Sequence, residues 1–439
     1  MKINKMVRKF SQRLINPYMV GIYLGVNAIK DFYLVVDGPD CSYMKTQYIT
    51  LNHDFYANLT NLSGFHRVGN TALHPFMMAD SREESILKFI EKIASQPFTK
   101  VIGITPMPMA AVTAVDYKRL LNKISTKYKK PTFEFKNKSL SGDWMDGYSE
   151  FAKVLASEMT FKRRLRGSKS IGIIGYLFDR NEYDNFANIS ELRRIFGEIG
   201  VDISSIWFSG GSYDDLCSIS NSSLLISFGY MEEAAKIISE RLKIPLMKAD
   251  YPIGFEQTAK LIRDVADYFR IKSVNRVIEN EIRTVVRRIE PLVEQHFLGL
   301  NVVYCGDPII FMPLKKSLEL LGANFSQVVI SNTLDKKRYL EQFDGDILFE
   351  PTINKIIDIC IRLAKTDKID LYVGNSDASS YFIASGKATV ELGFPSYFSH
   401  SIYDEPYLGF RGFLSLINRI VKELRYHEVR TVYQGFFYM

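Results

Sequence analysis

Cysteine thiolate and histidine imidazole are the side chains best suited to redox-active metals, and this 439-residue chain carries four cysteines and six histidines. The cysteines stand at 41, 217, 305 and 360. None forms a CxxC box, and so few thiols make no disulfide framework, so a metal site would have to be assembled across distance or across chains. Cys41 has the most suggestive surroundings. It closes FYLVVDGPDC, where an apolar strand runs into a turn flanked by Asp37 and Asp40. A thiolate can bind iron, and a nearby carboxylate can ligate it or accept an outer hydrogen bond. The same residues also suit plainer uses, a small buried thiol at a strand end and an Asx turn. Cys305 ends a strand in VVYCGDP, where core packing accounts for it. Cys360 falls on the apolar stripe of Ile353, Ile356, Ile357 and Leu363, and Cys217 carries no motif. His53, His66 and His74 show no metal-ligand spacing. No G-x-x-x-x-G-K-[ST] occurs, so nucleotide chemistry of that kind must belong to another protein.

The elements that would position these residues follow a βα rhythm. FYLVVDGPDC and KVIGITPMP read as strands ending in turns, with SREESILKFIEKIAS between them as a helix. In that helix Ser81 is the expected N-cap, Glu84 its capping-box partner, and Ile86, Phe89, Ile90 and Ile93 the buried face. A second zone holds SIGIIGYLFD, NISELRRIFGEIGVDISSIWFSGG and SLLISFGYMEEAAKIISERLKIPLMKADYPIG. Helices expected at about 257–277 and 279–296 lead to a third zone, where LNVVYCGDPIIFMPLKKSLELLGA, INKIIDICIRLAK and IDLYVGNSDASSYFIASGKATVELGFP repeat the pattern. The pattern predicts an α/β protein of three Rossmann-like, doubly wound parallel-sheet domains, residues 1–167, 168–300 and 301–439.

Composition narrows the class. With 46% hydrophobic and 24% charged residues, the chain is neither disordered nor fibrous. No apolar run reaches a membrane span, and the basic start lacks the apolar core of a secretion signal, which predicts a cytoplasmic protein without a membrane partner. The net charge of +7 is modest, and the one dense basic run, Lys162 to Lys169, reads as a solvated linker rather than a nucleic-acid surface.

Several of these segments, in order and over nearly the whole chain, resemble the nitrogenase component 1 family. Asp37-Gly38-Pro39-Asp40-Cys41 is similar to the family's His-Gly-Pro-x-Gly-Cys, whose cysteine binds a cluster. SELRRIFGEIGVDI with SGGSYDDL resembles the segment before its cofactor pocket. VVYCGDP, YVGNS and ELGFPSYFSHSIYDEPYLGFRGFLSLINRIVKEL resemble its closing pattern, which is the most specific match. There are departures. The family's first cluster cysteine, 25 residues before Cys41, falls on Asn16, and its third falls on Met107, ahead of Pro108. Asp37 stands for its histidine and Asp40 for its second glycine. In the nitrogenase proper one Cys and one His hold the large metallocofactor. Here those positions fall near Ser227 and on His400, and a serine oxygen is a poor substitute for thiolate on iron.

The resemblance implies a subunit of a two-component reductase. Cys41, with Asp37 nearby, would supply a minority of the ligands of an iron–sulfur cluster, of four-iron type and shared with a second component 1-like subunit. An ATP-hydrolysing iron protein would feed it electrons, with ATP bound only there. The substrate would lie between the domains, near Ser227 and Tyr403, with His400 as proton donor or metal ligand. Family substrates range from dinitrogen to tetrapyrroles and carbon–sulfur bonds. A metallocofactor assembly scaffold, or a cluster-free Rossmann-type binding or glycosyl-transfer protein, are the alternatives that the missing cysteines keep open.

Overall fold

The computed structural model describes residues 12–60, 66–78, 81–136, 142–161, 169–340, 343, 345–366 and 369–437. The basic run at 162–168 lies outside them. Among the described residues, apolar, β-branched stretches form thirteen strands in three all-parallel sheets. β1 (Phe32–Asp37), β2 (Val68–Asn70), β3 (Val101–Pro106) and β4 (Thr132–Glu134) make the first, in the order β2-β1-β3-β4. β5 (Ser170–Ile174), β6 (Asp202–Ile206), β7 (Leu224–Ser227) and β8 (Leu246–Lys248) make the second, in the order β6-β5-β7-β8. β9 (Asn301–Gly306), β10 (Asn324–Ile330), β11 (Ile347–Phe349), β12 (Leu371–Gly374) and β13 (Ala388–Glu391) make the third, in the order β11-β10-β9-β12-β13. Each sheet starts in its middle and winds outward both ways, the doubly wound pattern that puts ligand sites at the carboxyl ends of the strands flanking the reversal.

By packing, the chain forms two compact units: Pro17–Asn185 with Gly200–Ala249, which holds the first two sheets, and Met1–Asn16, Phe186–Ile199 and Asp250–Met439, which holds the third. In the first unit, α1 (Tyr18–Asn27) and α2 (Ser42–Tyr48) flank β1, α3 (Glu83–Ala94) precedes β3, and α4 (Tyr117–Tyr128) precedes β4. α5 (Trp144–Glu158) follows β4. One face of the first sheet is covered by α3 and α4 through Ile86, Ile90, Leu120 and Ile124 against Tyr33, Val35, Ile102 and Ile104. On the other, Phe135 stacks on Phe151 with ring centroids 4.6 Å apart, and Phe32 meets Phe135 tilted and Phe151 edge-on. α1 crosses α5 so closely that a Cβ on Gly21 would come 1.9 Å from the Trp144 carbonyl oxygen, which reserves that position for glycine.

α3 begins at Glu83, not at the expected capped Ser81. Arg82 takes the N-cap position without capping, because a guanidinium has no acceptor to offer the helix N–H groups, and it pairs with Asp37 instead. α6 (Tyr183–Glu198) follows β5, and α7 (Glu232–Leu242) joins β7 to β8. In the second unit the expected helix to 277 stops earlier. α8 (Gly254–Tyr268) ends where Arg270 takes a left-handed φ of 56°, and α9 (Val274–His296) starts afresh. α10 (Pro308–Glu319), α11 (Ile353–Thr366), α12 (Ser376–Ala384) and α13 (Gly409–Phe437) complete it. Ile356, Ile359, Cys360 and Leu363 of α11 pack on Val303, Cys305 and Tyr372 of the third sheet, the core role expected of Cys360. No helix among the described residues is long and apolar enough to cross a membrane.

Candidate functional site

The first sheet reverses between β1 and β3, and Cys41 lies just past the carboxyl end of β1. The turn Gly38–Cys41 leads into α2: Ser42 donates from both N–H and hydroxyl to the Pro39 carbonyl, and Cys41 takes the N-cap position with its thiol in no capping bond. Cys41 is exposed.

Two further segments meet this turn, making three in all. The Thr71 hydroxyl accepts from Gly38 N–H at 3.2 Å, Leu73 N–H donates to the Gly38 carbonyl at 2.8 Å, and Met107 N–H donates to the Asp37 carbonyl at 2.7 Å. A Cβ at Gly38 would sit 2.4 Å from Met107 Cγ, so only glycine lets the two loops meet. Met107, where the family has its third cysteine, therefore lies against the Cys41 turn. Each segment also presents large apolar side chains to solvent: Met44 is 69% exposed, Phe76 84% and Val112 78%, with Met77 beside them in sequence.

Asp37 is fully buried, and both its oxygens are engaged. Arg82 makes a bidentate pair with it at 2.7 and 3.0 Å, Tyr117 donates its hydroxyl at 2.6 Å and Thr71 at 2.7 Å. Burial would raise the carboxyl's pKa, but the hydrogen bonds from Arg82, Tyr117 and Thr71 outweigh it and hold the group below the ordinary carboxylate value. Arg82 also donates to the Thr113 hydroxyl at 3.1 Å, so it ties the loop after β1 to the loop after β3. This arrangement gives Asp37 the work of an anchor rather than of a hand free to ligate. Asp40 is exposed.

The remaining expected residues lie elsewhere. Ser227 ends β7, buried, with its hydroxyl 3.3 Å from the Phe228 carbonyl. His400 belongs to the other unit. It is half-buried, and its Nε2 lies 3.2 Å from the Tyr397 carbonyl, to which it can only donate. Tyr403 is exposed. Asn16 places its amide 3.3 Å from Asp377. Cys305 is core, its thiol pushed well up by burial, and burial pushes the Cys360 thiol up to about 12. Among the described residues no group of three or more His, Cys, Asp or Glu side chains is placed to hold a metal ion. The donor set on this chain thus fits one thiolate's share of an iron–sulfur cluster, not a whole one.

Two buried polar clusters were not read from the sequence. Glu391 accepts from the hydroxyls of Ser379 at 2.8 Å and Ser396 at 3.1 Å, from Phe398 N–H at 2.9 Å and Ser399 N–H at 2.8 Å, and from the Ser376 hydroxyl. It holds the loop that carries His400, yet in ELGFP it looks like any polar strand end. His53, fully buried at the end of a π-helical turn, lies 3.3 Å from the Asp179 carboxylate. Burial would raise the Asp179 carboxyl, but His53, Arg180 and Asn185 together hold it low. A signal for both existed in principle, since a carboxylate in a buried segment demands donors; their positions in the chain are too far apart to name them.

The fold has a solved counterpart. A structure described as "Nitrogenase Cp1 at pH 6.5" matches with a TM-score of 0.77 over 94% of this chain and 92% of that one, at 16% identity, a likeness of fold. The profile of the nitrogenase component 1 type oxidoreductases matches residues 18–425, and the chain belongs to that family. It is 26% identical over 227 residues to a nitrogenase molybdenum-iron protein beta chain of Methanothermobacter thermautotrophicus, covering 50% of this chain and 49% of that one. It is 26% identical over 242 residues to an alpha chain of the same type from Methanothermobacter marburgensis, covering 54% and 49%. To a nitrogenase vanadium-iron protein beta chain of Trichormus variabilis it is 21% identical over 359 residues, covering 73% and 75%. The chain thus spans about half the length of the first two relatives.

Proposed function

We propose that this chain is one subunit of a nitrogenase-like two-component reductase in which Cys41 gives one thiolate to an iron–sulfur cluster, of four-iron type, shared with a second component 1-like subunit. The observation that carries this is the exposed Cys41 thiol at the reversal point of a parallel sheet, on a loop tied to the two segments that expose Phe76 and Val112, with Met44 exposed on the helix it opens. Exposed apolar side chains on segments that meet at one loop suit a surface that another protein covers. A four-iron cluster takes about four ligands, so the covering chain would supply the rest.

When bound, such a cluster would supply one-electron transfer. The chain's own residues prepare for it. Asp37, Arg82, Thr71 and Tyr117 fix the turn that carries Cys41, Met107 fills the space beside it, and the exposed Met44, Phe76 and Val112 would exclude water where a partner covers them. His400 holds a proton at Nε2 toward Tyr397 and is the proposed proton donor or metal ligand at the substrate, with Ser227 as a wall of the cofactor pocket. Electrons would come from a separate ATP-hydrolysing iron protein, since the P-loop is missing from this sequence. The setting is proposed to be cytoplasmic.

The test is anaerobic co-purification with a second component 1-like chain from the same source, followed by iron and acid-labile sulfide analysis. A brown complex containing both elements supports the reading. A colourless, stable complex overturns it in favour of a cluster-free binding protein, and metal that is handed on without substrate turnover overturns it in favour of an assembly scaffold.

A further inference from the structure

The last helix, α13, changes its apolar face along its length. As far as Leu424 it buries Phe410, Phe413, Ile417, Ile420 and Leu424 in the core of its unit. The opposite side of that stretch is polar, with Arg411, Ser415, Asn418 and Lys422. Past Leu424 the order reverses. Tyr426 is 58% exposed and Val429 51%, and at 100° per residue they stand about 180° from the buried stripe. In the sequence Tyr433 and Phe436 continue that spacing, at intervals of four and three residues, and the helix backbone runs on to Phe437.

A helix whose apolar side turns from the core to the solvent has a second surface to meet. Its charges indicate which kind. Lys422 stands at the head of the outward stripe, and Arg425 and Arg430 flank it on either side. Beyond residue 424 the one acidic side chain, Glu428, lies toward α9 instead, its carboxylate 2.9 Å from Arg425 and 4.0 Å from His296. A protein groove would have to match each cation with a carboxylate of its own. An anionic bilayer presents phosphates everywhere, so rings sink to headgroup depth while guanidinium and ammonium groups reach the lipid phosphates. From Arg425 to Phe437 the helix is about 20 Å long. It is not long and apolar enough to cross a membrane, and an amphipathic helix of that kind lies in the plane of the interface.

We propose that the C-terminal part of α13 is a peripheral membrane contact: it lies flat on an anionic lipid surface, with Tyr426 and Val429 in the headgroup boundary and Lys422, Arg425 and Arg430 against lipid phosphates. Burial of the apolar side chains supplies part of the affinity, and the cations supply the preference for anionic lipid. The chain's net charge of +7 adds long-range attraction to the same surface. Such a contact is distinct from the membrane span that the sequence excludes, and it holds whether or not Cys41 binds a cluster.

The experiment is flotation of the full-length chain with vesicles of phosphatidylglycerol and phosphatidylethanolamine, and with phosphatidylcholine vesicles for comparison. The wild type should float with the anionic vesicles, much less with the neutral ones, and should be released by high salt. Two double variants, Tyr426→Ser with Val429→Ser and Lys422→Glu with Arg430→Glu, should each bind the anionic vesicles about tenfold or more weakly. All four positions face solvent, so both variants should keep the wild-type urea midpoint. The proposal is overturned if the wild type stays at the bottom of the gradient, which would leave the stripe to a protein partner. It is equally overturned if the wild type floats alike on both kinds of vesicle or resists high salt, or if either variant, folded by its urea midpoint, floats as the wild type does.

Discussion

The carboxyl edges of the first and third sheets begin alike and end differently. At each, a strand beside the reversal leads to an aspartate, Asp37 closing β1 and Asp377 opening α12 after β12. Asp37 is met by a cation, Arg82, and its charge is stabilised. Among the described residues Asp377 is met by the amides of Asn16 and Asn375, at 3.3 and 3.2 Å, and burial pushes its carboxyl up to about 7. Around Asp37 the loops are tied to one another, and Cys41 is left exposed above them. Around Asp377 the chain folds back over the edge, where Ser376 N–H donates to the Pro395 carbonyl at 2.8 Å and Asn375 donates to the Phe394 carbonyl at 3.1 Å. A reversal of the same kind thus gives one edge tied by a salt bridge beneath an exposed thiol and one closed by its own loop. The open edge is where a partner and a cluster would fit.

Breaking the salt bridge should have the largest effect. Arg82→Met leaves Asp37 buried without its counter-charge and should destabilise the first unit by about 3–5 kcal/mol, read from urea unfolding. Adding Asp37→Asn should recover part of that loss. A cost of Arg82→Met near zero would show that the open edge does not depend on the pair.

On the closed edge, Glu391→Ala removes the acceptor for the Phe398 and Ser399 N–H groups and should cost about 2–4 kcal/mol. Glu391→Gln should cost less, since the hydroxyls of Ser376 and Ser379 can turn to accept from the new amide. Equal losses in the two variants would mean that the loop reads the negative charge and not the hydrogen-bond pattern.

The two aspartates should also titrate in opposite senses. Folded Asp377 binds its proton more tightly than the unfolded chain does, so its contribution is fully present below the ordinary value of 3.8 and is lost as pH rises toward 7. Asp37 contributes above 3.8 and loses its contribution as pH falls below that value. Asp377→Asn should therefore raise stability at pH 8 by on the order of 1–3 kcal/mol and flatten the decline between pH 4 and 7. An unchanged pH profile would show that Asp377 ionises normally. The smallest perturbation is chemical: a thiol reagent applied to the native chain should react with exposed Cys41 first, then half-buried Cys217, and with buried Cys305 and Cys360 only on unfolding.

The sequence carried the architecture because β-branched runs, turns and amphipathic helices are local signals. The apolar stripe that put Cys360 in the core and the strand that put Cys41 at a sheet's edge were both legible at short range. What was not legible depends on pairs distant in the chain. Ser81 looked like a cap by its local spacing, and nothing nearby revealed that Arg82 would pair with Asp37, 45 residues away. Asp37 looked like a spare ligand for the same reason. Met107 looked like a lost cysteine, and only the fold shows it packed on Gly38 beside the surviving one. His400 was visible by resemblance, while Glu391, which shapes its loop, was not.

The central claim is that the open edge holds a cluster through Cys41, and the most direct measurement is iron and acid-labile sulfide per complex, with the reduced-state EPR spectrum, for Cys41→Ala and Cys41→Ser purified with the second subunit. A ligand role predicts that Ala loses most of the iron and the signal, while Ser, nearly the same size and able to offer oxygen, keeps an altered signal. A packing role predicts only a small void in Ala, worth about 1 kcal/mol of stability. Wild-type iron and an unchanged spectrum in Cys41→Ala would contradict the account.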